Sequence, residues 1–152
     1  MTPGNVDPRI VAERALRVSE MIGAIHDLHP EEKEAFLADR HKVAAAESYL
    51  RRSLEALFDI GRHILAKEFA YPAMEYKEVA KGLFDKKVLE AKDAELMREM
   101  AGYRNRMVHF YHEITPEELH RICLYHLDEI KLLTERLGQW AKEHTASTIQ
   151  TE

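Results

Sequence analysis

Apolar side chains recur every three or four residues along most of this 152-residue chain, and this spacing constrains the fold more than any other feature. Side chains three or four residues apart share one face of an α-helix. No segment alternates polar and apolar residues over the length of a strand, and only six glycines and five prolines interrupt the helical pattern. The sequence therefore predicts an all-α fold.

The pattern divides the chain into four long helices and some short ones. The spacing predicts long helices over about 8–27, 39–67, 91–111 and 116–140, and shorter ones from Pro30 and over about 75–87. Asp7 before Pro8 and Thr115 before Pro116 are typical helix starts, because a capping side chain precedes a proline in the first turn. We expect an antiparallel helical bundle in one domain over residues 1–144, and a flexible polar tail over 145–152.

Composition limits the classes of protein to which this chain can belong. The 45 % hydrophobic and 32 % charged fractions are typical of a globular protein, and no apolar run approaches the ~20 residues of a membrane span. One cysteine, Cys123, cannot form an internal disulfide or a cysteine-rich zinc site. The first residues lack the charge pattern of a signal peptide, so the cytoplasm is the expected compartment. The net charge of −5 argues against indiscriminate binding of nucleic acid, but it leaves room for a local basic patch.

The segment YRNRMVHFYHEI, residues 103–114, mixes charged and apolar residues more than an ordinary amphipathic helix does. The predicted core stripe of this helix is Leu96, Met100, Tyr103, Met107 and Phe110. Arg104 and Tyr111 flank the stripe on one side, and Asn105 and His109 flank it on the other. On a straight helix, Arg104 and His109 would point about 140° apart, at about 100° per residue. A bent or interrupted helix, a wrapped Arg104 side chain, or a second copy of the chain would each bring them to one site.

Ordinary packing is one alternative for these residues. Arg104 could pair with an acidic side chain of a neighbouring helix, His109 could be a partly buried histidine, and Tyr111 could be an amphipathic edge residue. A metal site is another alternative, because His109 and His112 are three residues apart, with Glu113, Glu117 and His120 nearby. No H-E-x-x-H pattern accompanies them, so we expect neither a metal nor another cofactor.

The motif RNRMVHFY resembles the signature of the HEPN ribonucleases, in the form found in HepT-type toxins of the HepT–MntA toxin–antitoxin systems. It contains arginine, four residues, histidine, one residue and tyrosine. The resemblance extends through YLRRSLEALFDIGRHILAK, YKEVAKGLFDKKVL and MREMAGYRNRMVHFYHEIT, and covers most of residues 7–140 in order. It implies a homodimer in which two motifs face each other across a basic cleft, so that each copy contributes to a joint site.

The resemblance also implies a reaction and roles for the motif residues. The implied enzyme is a metal-independent endoribonuclease, in which the ribose 2′-OH of a tRNA or mRNA attacks the adjacent phosphate and leaves a 2′,3′-cyclic phosphate. His109 would be the general acid or base, since histidine can give and take protons near neutral pH. Arg104 would stabilise the charge on the phosphate. Asn105 would orient His109 or the phosphate.

Tyr111 has two implied roles, contact with the substrate and regulation. In the resembling systems an MntA-like nucleotidyltransferase antitoxin transfers AMP from ATP to this tyrosine, which would add bulk and negative charge beside Arg104. Arg106 would extend the basic patch, although an ion pair on the helix surface explains this residue as well. Asp59 would orient a motif side chain, and its alternative is an ordinary surface residue. The remaining alternative is a non-catalytic HEPN module that binds a nucleotidyltransferase.

Overall fold

The computed structural model describes the backbone of residues 5–109 and 114–151, and the side chains of residues 5–109 and 114–145. These parts of the chain contain seven helices and no strand: α1 (Pro8–His26), α2 (Lys33–Ala38), α3 (Arg40–Phe69), α4 (Tyr76–Asp85), α5 (Ala91–Val108), α6 (Pro116–Tyr125) and α7 (Leu127–Thr151). Four of them are long and three are short. The predicted all-α fold is therefore confirmed.

Helix α3 is the centre of the fold, because it contacts each of the other six helices. Its fully buried side chains follow the predicted three-and-four spacing and include Leu50, Leu54, Leu57, Ile60, Ile64 and Leu65. A 30-residue helix is long enough to pack against several partners along its length. The arrangement places both α4 and α5 against α3, and these three helices hold the candidate site.

Two predicted helix starts are present in the structure. The Asp7 carboxylate accepts a hydrogen bond from the backbone N–H of Arg9 at 2.9 Å, and this bond lowers the pKa of Asp7. The Thr115 hydroxyl accepts one from the backbone N–H of Glu118 at 3.1 Å. Each cap satisfies a donor that the first turn of a helix leaves without an intrahelical partner. Both capping predictions are confirmed.

The prediction of one continuous helix after Thr115 is wrong, because α6 ends at Tyr125 and α7 begins at Leu127. His126 lies at the break, where its backbone N–H bonds to the Ile122 carbonyl and its Nδ1 lies 2.8 Å from Glu129 Oε1. No glycine or proline lies at this position, and the apolar spacing continues across it, so the sequence does not reveal the break. The predicted core histidine is thus a half-buried residue between two helices.

Two other boundaries differ from the predictions. The first short helix begins at Lys33 rather than at Pro30, because the chain first forms a turn in which the Glu32 N–H bonds to the His29 carbonyl at 3.0 Å. The backbone of α7 is helical as far as Thr151. The domain boundary at residue 144 and the flexible tail stay predictions.

Within the described residues, no helix is both long enough and apolar enough to cross a bilayer.

Helix α4 approaches α3 closely at Gly61. A Cβ atom on Gly61 would lie 2.8 Å from Val79 Cγ1 and 3.1 Å from Leu83 Cδ1. Both neighbouring side chains are fully buried, so neither can move aside without disturbing the core. The missing side chain at Gly61 therefore allows α4 to lie against α3.

We expect Gly61→Ala to destabilise the fold by about 1–3 kcal/mol, because the added methyl group overpacks the α3–α4 contact. The matched control is Gly138→Ala in α7, where a Cβ atom would meet nothing within 4 Å. The free energy of unfolding of this control should rise by about 0.5–1 kcal/mol, because alanine has a higher helix propensity than glycine. Urea unfolding followed by circular dichroism measures both changes. Equal stabilisation by the two substitutions would contradict the close approach.

Candidate active site

Helix α5 presents Arg104 to the interior of the bundle. The fully buried side chains of α5 are those of Met97, Met100 and Ala101. Met100 belongs to the predicted stripe, and Leu96, Tyr103 and Met107 of that stripe are partly buried against the core. The predicted stripe is therefore part of the buried surface of α5, and Met97 and Ala101 extend that surface toward the side of Arg104. Arg104 follows Met97 by seven residues, or about two turns, and shares its face. This position directs Arg104 toward α3 and α4.

Two contacts hold the Arg104 guanidinium. Its Nε and Nη2 donate hydrogen bonds to Glu55 Oε2 of α3, at 3.3 and 3.1 Å. Its central carbon lies 4.1 Å from the centroid of the Tyr76 ring of α4, which is a cation–π contact. The Arg104 side chain is 22 % exposed, so solvent still reaches it. Two of the five N–H donors of the arginine are engaged here, and the other three have no partner among the described residues.

The Tyr76 ring contacts a second guanidinium as well. The central carbon of Arg62 lies 4.5 Å from the ring centroid, and Arg62 Nη2 donates a hydrogen bond to the Met74 carbonyl at 3.0 Å. Tyr76 also packs against Phe58 of α3, with ring centroids 4.8 Å apart. These contacts fix the ring on which Arg104 lies.

Asp59 has partners other than the motif residues. It accepts a hydrogen bond from Arg14 Nε of α1 at 3.2 Å, and its carboxylate lies 3.8 Å from Arg62 Nη1. Its predicted supporting role would therefore be indirect, through Arg62 and Tyr76. The carboxylate that contacts Arg104 belongs to Glu55, one helical turn before Asp59. The Glu55 contact matches the alternative in which Arg104 pairs with an acidic side chain of a neighbouring helix. Neither Glu55 nor Tyr76 was predicted by number, because no spacing along the chain links them to the motif.

Helix α5 ends at Val108, so the prediction that it continues to Tyr111 is wrong. His109 has an extended backbone (φ −92°, ψ 121°), and its N–H bonds to the Asn105 carbonyl at 3.0 Å. The segment from Val108 to Thr115 is rich in β-branched and aromatic residues, which have lower helix propensities than alanine or leucine. The angle of about 140° between Arg104 and His109, which assumed a straight helix, therefore does not apply. The His109 side chain is exposed, and no residue of the described chain bonds to its ring.

The other motif residues differ in their surroundings. Asn105 is half-buried beside Arg104 on α5. Arg106 donates two hydrogen bonds of 2.6 Å to the two carboxylate oxygens of Glu118, which raises the pKa of Arg106 and lowers that of Glu118. This pair joins α5 to α6, as the ion-pair alternative predicted. Tyr111 and His112 lie outside the described residues.

The metal alternative has no support from the described residues. Within residues 5–109 and 114–145, no group of three or more histidine, cysteine, aspartate or glutamate side chains could hold a metal ion. His120 is buried against the Phe36 ring, and its Nε2 lies 2.7 Å from the Pro30 carbonyl oxygen. Cys123 is also buried, which raises the pKa of its thiol to about 12. The thiol is therefore protonated and unreactive at neutral pH.

Several solved structures share the fold of this chain. A chain of the tri-AMPylated HEPN toxin of Shewanella oneidensis, in complex with MNT antitoxin, has a TM-score of 0.76 and 19 % identity over 84 % of this chain and 95 % of that one. A toxin–antitoxin with AMP-PNP has a TM-score of 0.75 and 18 % identity over 84 % and 97 %. A mutant MntA-HpeT toxin–antitoxin has a TM-score of 0.75 and 17 % identity over 84 % and 96 %. The predicted HEPN-like fold is confirmed.

The sequence comparisons give the family. No curated protein matches this chain. A family model described as HepT-like, "Ribonuclease HepT-like", matches residues 9–137. This match includes all of helix α3, the Arg104 contacts and the complete motif. Because it spans most of the sequence, the chain belongs to the HepT-like ribonuclease family.

Proposed function

We propose that this chain is the toxin of a toxin–antitoxin pair and acts as a metal-independent endoribonuclease. One observation carries the proposal. Arg104 is held in place with three N–H donors that have no partner in the described part of the chain, and the exposed His109 follows directly after the end of the same helix. The family of ribonucleases and the shared fold of the toxin–antitoxin structures support the same class of function.

The proposed reaction requires a proton carrier and a cation beside the phosphate. The ribose 2′-oxygen forms a bond to phosphorus, and the bond from phosphorus to the 5′-oxygen breaks. His109 would take the proton of the 2′-OH, or give a proton to the leaving 5′-oxygen. Arg104 would donate charge-assisted hydrogen bonds to the phosphate oxygens, on which negative charge grows. The products would be a 2′,3′-cyclic phosphate and a 5′-OH.

We propose a homodimer as the active form, because a second copy would supply a second proton carrier. Cleavage needs both a base and an acid, and each copy has one motif histidine. Asn105 would orient His109 or the phosphate from its half-buried position on α5. Arg106 stays a proposed supporting residue, although Glu118 engages its guanidinium.

An MntA-like nucleotidyltransferase is the proposed partner. It would transfer AMP from ATP to the Tyr111 hydroxyl, forming a bond from oxygen to the α-phosphorus and releasing pyrophosphate. Similar structures include a tri-AMPylated HEPN toxin and a toxin–antitoxin with AMP-PNP, which supports this assignment. The added phosphate would compete with RNA for the donors of Arg104.

A non-catalytic module that binds a nucleotidyltransferase is the second candidate. The contact between Arg104 and Glu55 favours it, because a carboxylate partner gives the arginine a structural role that needs no RNA. The two candidates differ in whether the purified chain cleaves RNA.

We expect the purified chain to cleave RNA in the presence of EDTA, and His109→Ala and Arg104→Ala each to lower the rate by about 100-fold or more. Gel analysis and mass spectrometry of the fragments would detect the cyclic phosphate ends. Circular dichroism would show that both variants keep the helical fold. Failure of the wild-type chain to cleave any RNA would favour the binding module. Cleavage that EDTA abolishes would favour the metal alternative.

Tyr76→Leu should lower kcat of RNA cleavage by about tenfold with little change in KM, because Arg104 loses the ring that holds it. Tyr76→Phe is the matched control, since it keeps the ring and removes only the hydroxyl. Kinetics on one labelled RNA would measure both variants. A loss of kcat as large in Tyr76→Phe as in Tyr76→Leu would rule out support by the ring.

Incubation with a partner nucleotidyltransferase and ATP should add one or more AMP units to the chain and stop RNA cleavage. Intact-mass measurement and peptide mapping would locate the modification. Tyr111→Phe should abolish it, whereas Tyr125→Phe, which alters a 69 % exposed tyrosine of α6, should not. Modification that persists in Tyr111→Phe would refute the assignment.

A further inference from the structure

A groove of about 580 Å³ lies between α4 and the first part of α5, outside the candidate active site. The α4 side of this α4–α5 groove carries Lys77, Lys81 and Phe84, which are four and three residues apart and share one face of the helix. The α5 side carries Arg98, and small alanine side chains from both helices complete the lining. The groove thus combines three cations with one aromatic ring.

The cations of the groove are available to a ligand. Lys77, Lys81 and Arg98 are exposed, and within the described residues none of them has an ion-pair or hydrogen-bond partner. Arg104 and Arg106, by contrast, are both engaged by carboxylates. The groove therefore offers positive charge that the fold does not use.

Phe84 is the aromatic residue of the groove, and it is 48 % exposed. A single exposed apolar side chain is ordinary on a protein surface, so the exposure of Phe84 matters only because the ring lines a groove together with three cations. Phe84 lies near the C-terminal end of α4, two turns from Lys77. An aromatic face at that distance from several cations suits a ligand with both a flat ring and negative charges.

The charge of the groove favours a polyanion. Two carboxylates, Glu78 and Glu95, also line it, so its three cations leave it net positive on a chain with a net charge of −5. A second groove, between α5 and α7, has the opposite character. Its lining includes Glu90, Asp93, Glu135 and Glu143, with Arg136 paired to Asp93. An anionic ligand would avoid the second groove and enter the first.

One end of the α4–α5 groove lies toward Arg104. Lys77 directly follows Tyr76, whose ring contacts the Arg104 guanidinium at 4.1 Å. Arg98 precedes Arg104 by six residues, so it lies about 9 Å away along α5 and about 120° away around the helix. The connection to Arg104 therefore runs along α4, through Lys77 and Tyr76. A ligand in the groove could continue along it to the phosphate that Arg104 would hold.

We propose that the α4–α5 groove binds the part of a single-stranded RNA substrate that flanks the cleaved bond. Lys77, Lys81 and Arg98 would contact phosphates, and a base would stack on Phe84, because cations interleaved with an exposed aromatic ring suit single-stranded RNA. The identity of the ligand as a substrate rests on the proposed function. An acidic protein segment is the competing occupant, and continuity with Arg104 favours RNA.

The test measures binding of a fluorescent single-stranded RNA of mixed sequence to the full chain carrying His109→Ala, which prevents cleavage during the titration. Adding Lys81→Ala or Arg98→Ala should raise Kd severalfold and reduce the salt dependence, with a slope smaller by about 0.7 for each phosphate that the variant no longer neutralises. Adding Phe84→Ala should raise Kd about fivefold or more and leave the slope unchanged. Lys92→Ala, an exposed lysine of α5 that does not line the groove, is the matched control and should change neither.

A substitution of opposite sign separates this effect from misfolding. Glu95→Gln removes a negative charge from the groove and should tighten RNA binding. Glu135→Gln makes the same change in the second groove and should leave Kd unchanged. Damage to the fold cannot produce tighter binding at one position only.

The outcomes distinguish this inference from the proposed function. Cleavage of RNA with Kd unaffected by all groove variants would support the nuclease and overturn the groove. Binding that depends on the groove without any cleavage would support the groove and overturn the nuclease. Groove variants that no longer bind a co-expressed nucleotidyltransferase but keep RNA affinity would show a protein-docking surface and would also overturn the inference.

Discussion

The contact of Arg104 with Glu55 and Tyr76 is the interaction on which the candidate site depends, because it needs three helices in their correct places. Glu55 belongs to α3, Tyr76 to α4 and Arg104 to α5, and Gly61 permits the close approach of the first two. A pair at this degree of exposure contributes only about 0–1 kcal/mol to stability. Its main effect is orientation, since a guanidinium that is already ordered loses less entropy when it binds a phosphate.

The sequence predicted those helix boundaries that depend only on residues close to one another in the chain. Asp7 and Thr115 cap their helices as expected, because a cap involves side chains and N–H groups within three residues of each other. The apolar spacing predicted the wrong boundaries at His126 and Val108, where helices end without a glycine or proline. Those ends depend on how the following segment packs, and the apolar spacing of a sequence does not contain that information.

The same distinction holds for the residues of the candidate site: the motif residues could be predicted from the sequence, and their partners on other helices could not. The resemblance of one short motif supplied Arg104, Asn105, His109 and Tyr111, and their roles stay predictions. It could not supply Glu55 or Tyr76, whose contacts with Arg104 cross from one helix to another. Helical spacing shows which residues share one face of a helix, but it does not show which carboxylate or ring of another helix that face meets.

The charge of the site also differs from the charge of the chain. Four arginines and three carboxylates form a network of direct contacts, in the order Arg51, Glu55, Arg104, Tyr76, Arg62, Asp59, Arg14 and Glu13, with the neutral Tyr76 ring between two guanidinium groups. The carboxylates hold the arginines in place, and the network keeps a local excess of positive charge on a protein whose net charge is −5. Interactions between charges weaken beyond about 8–10 Å at physiological salt, so a bound phosphate would respond to this network more than to the total charge. A negative net charge is therefore compatible with a site that binds RNA.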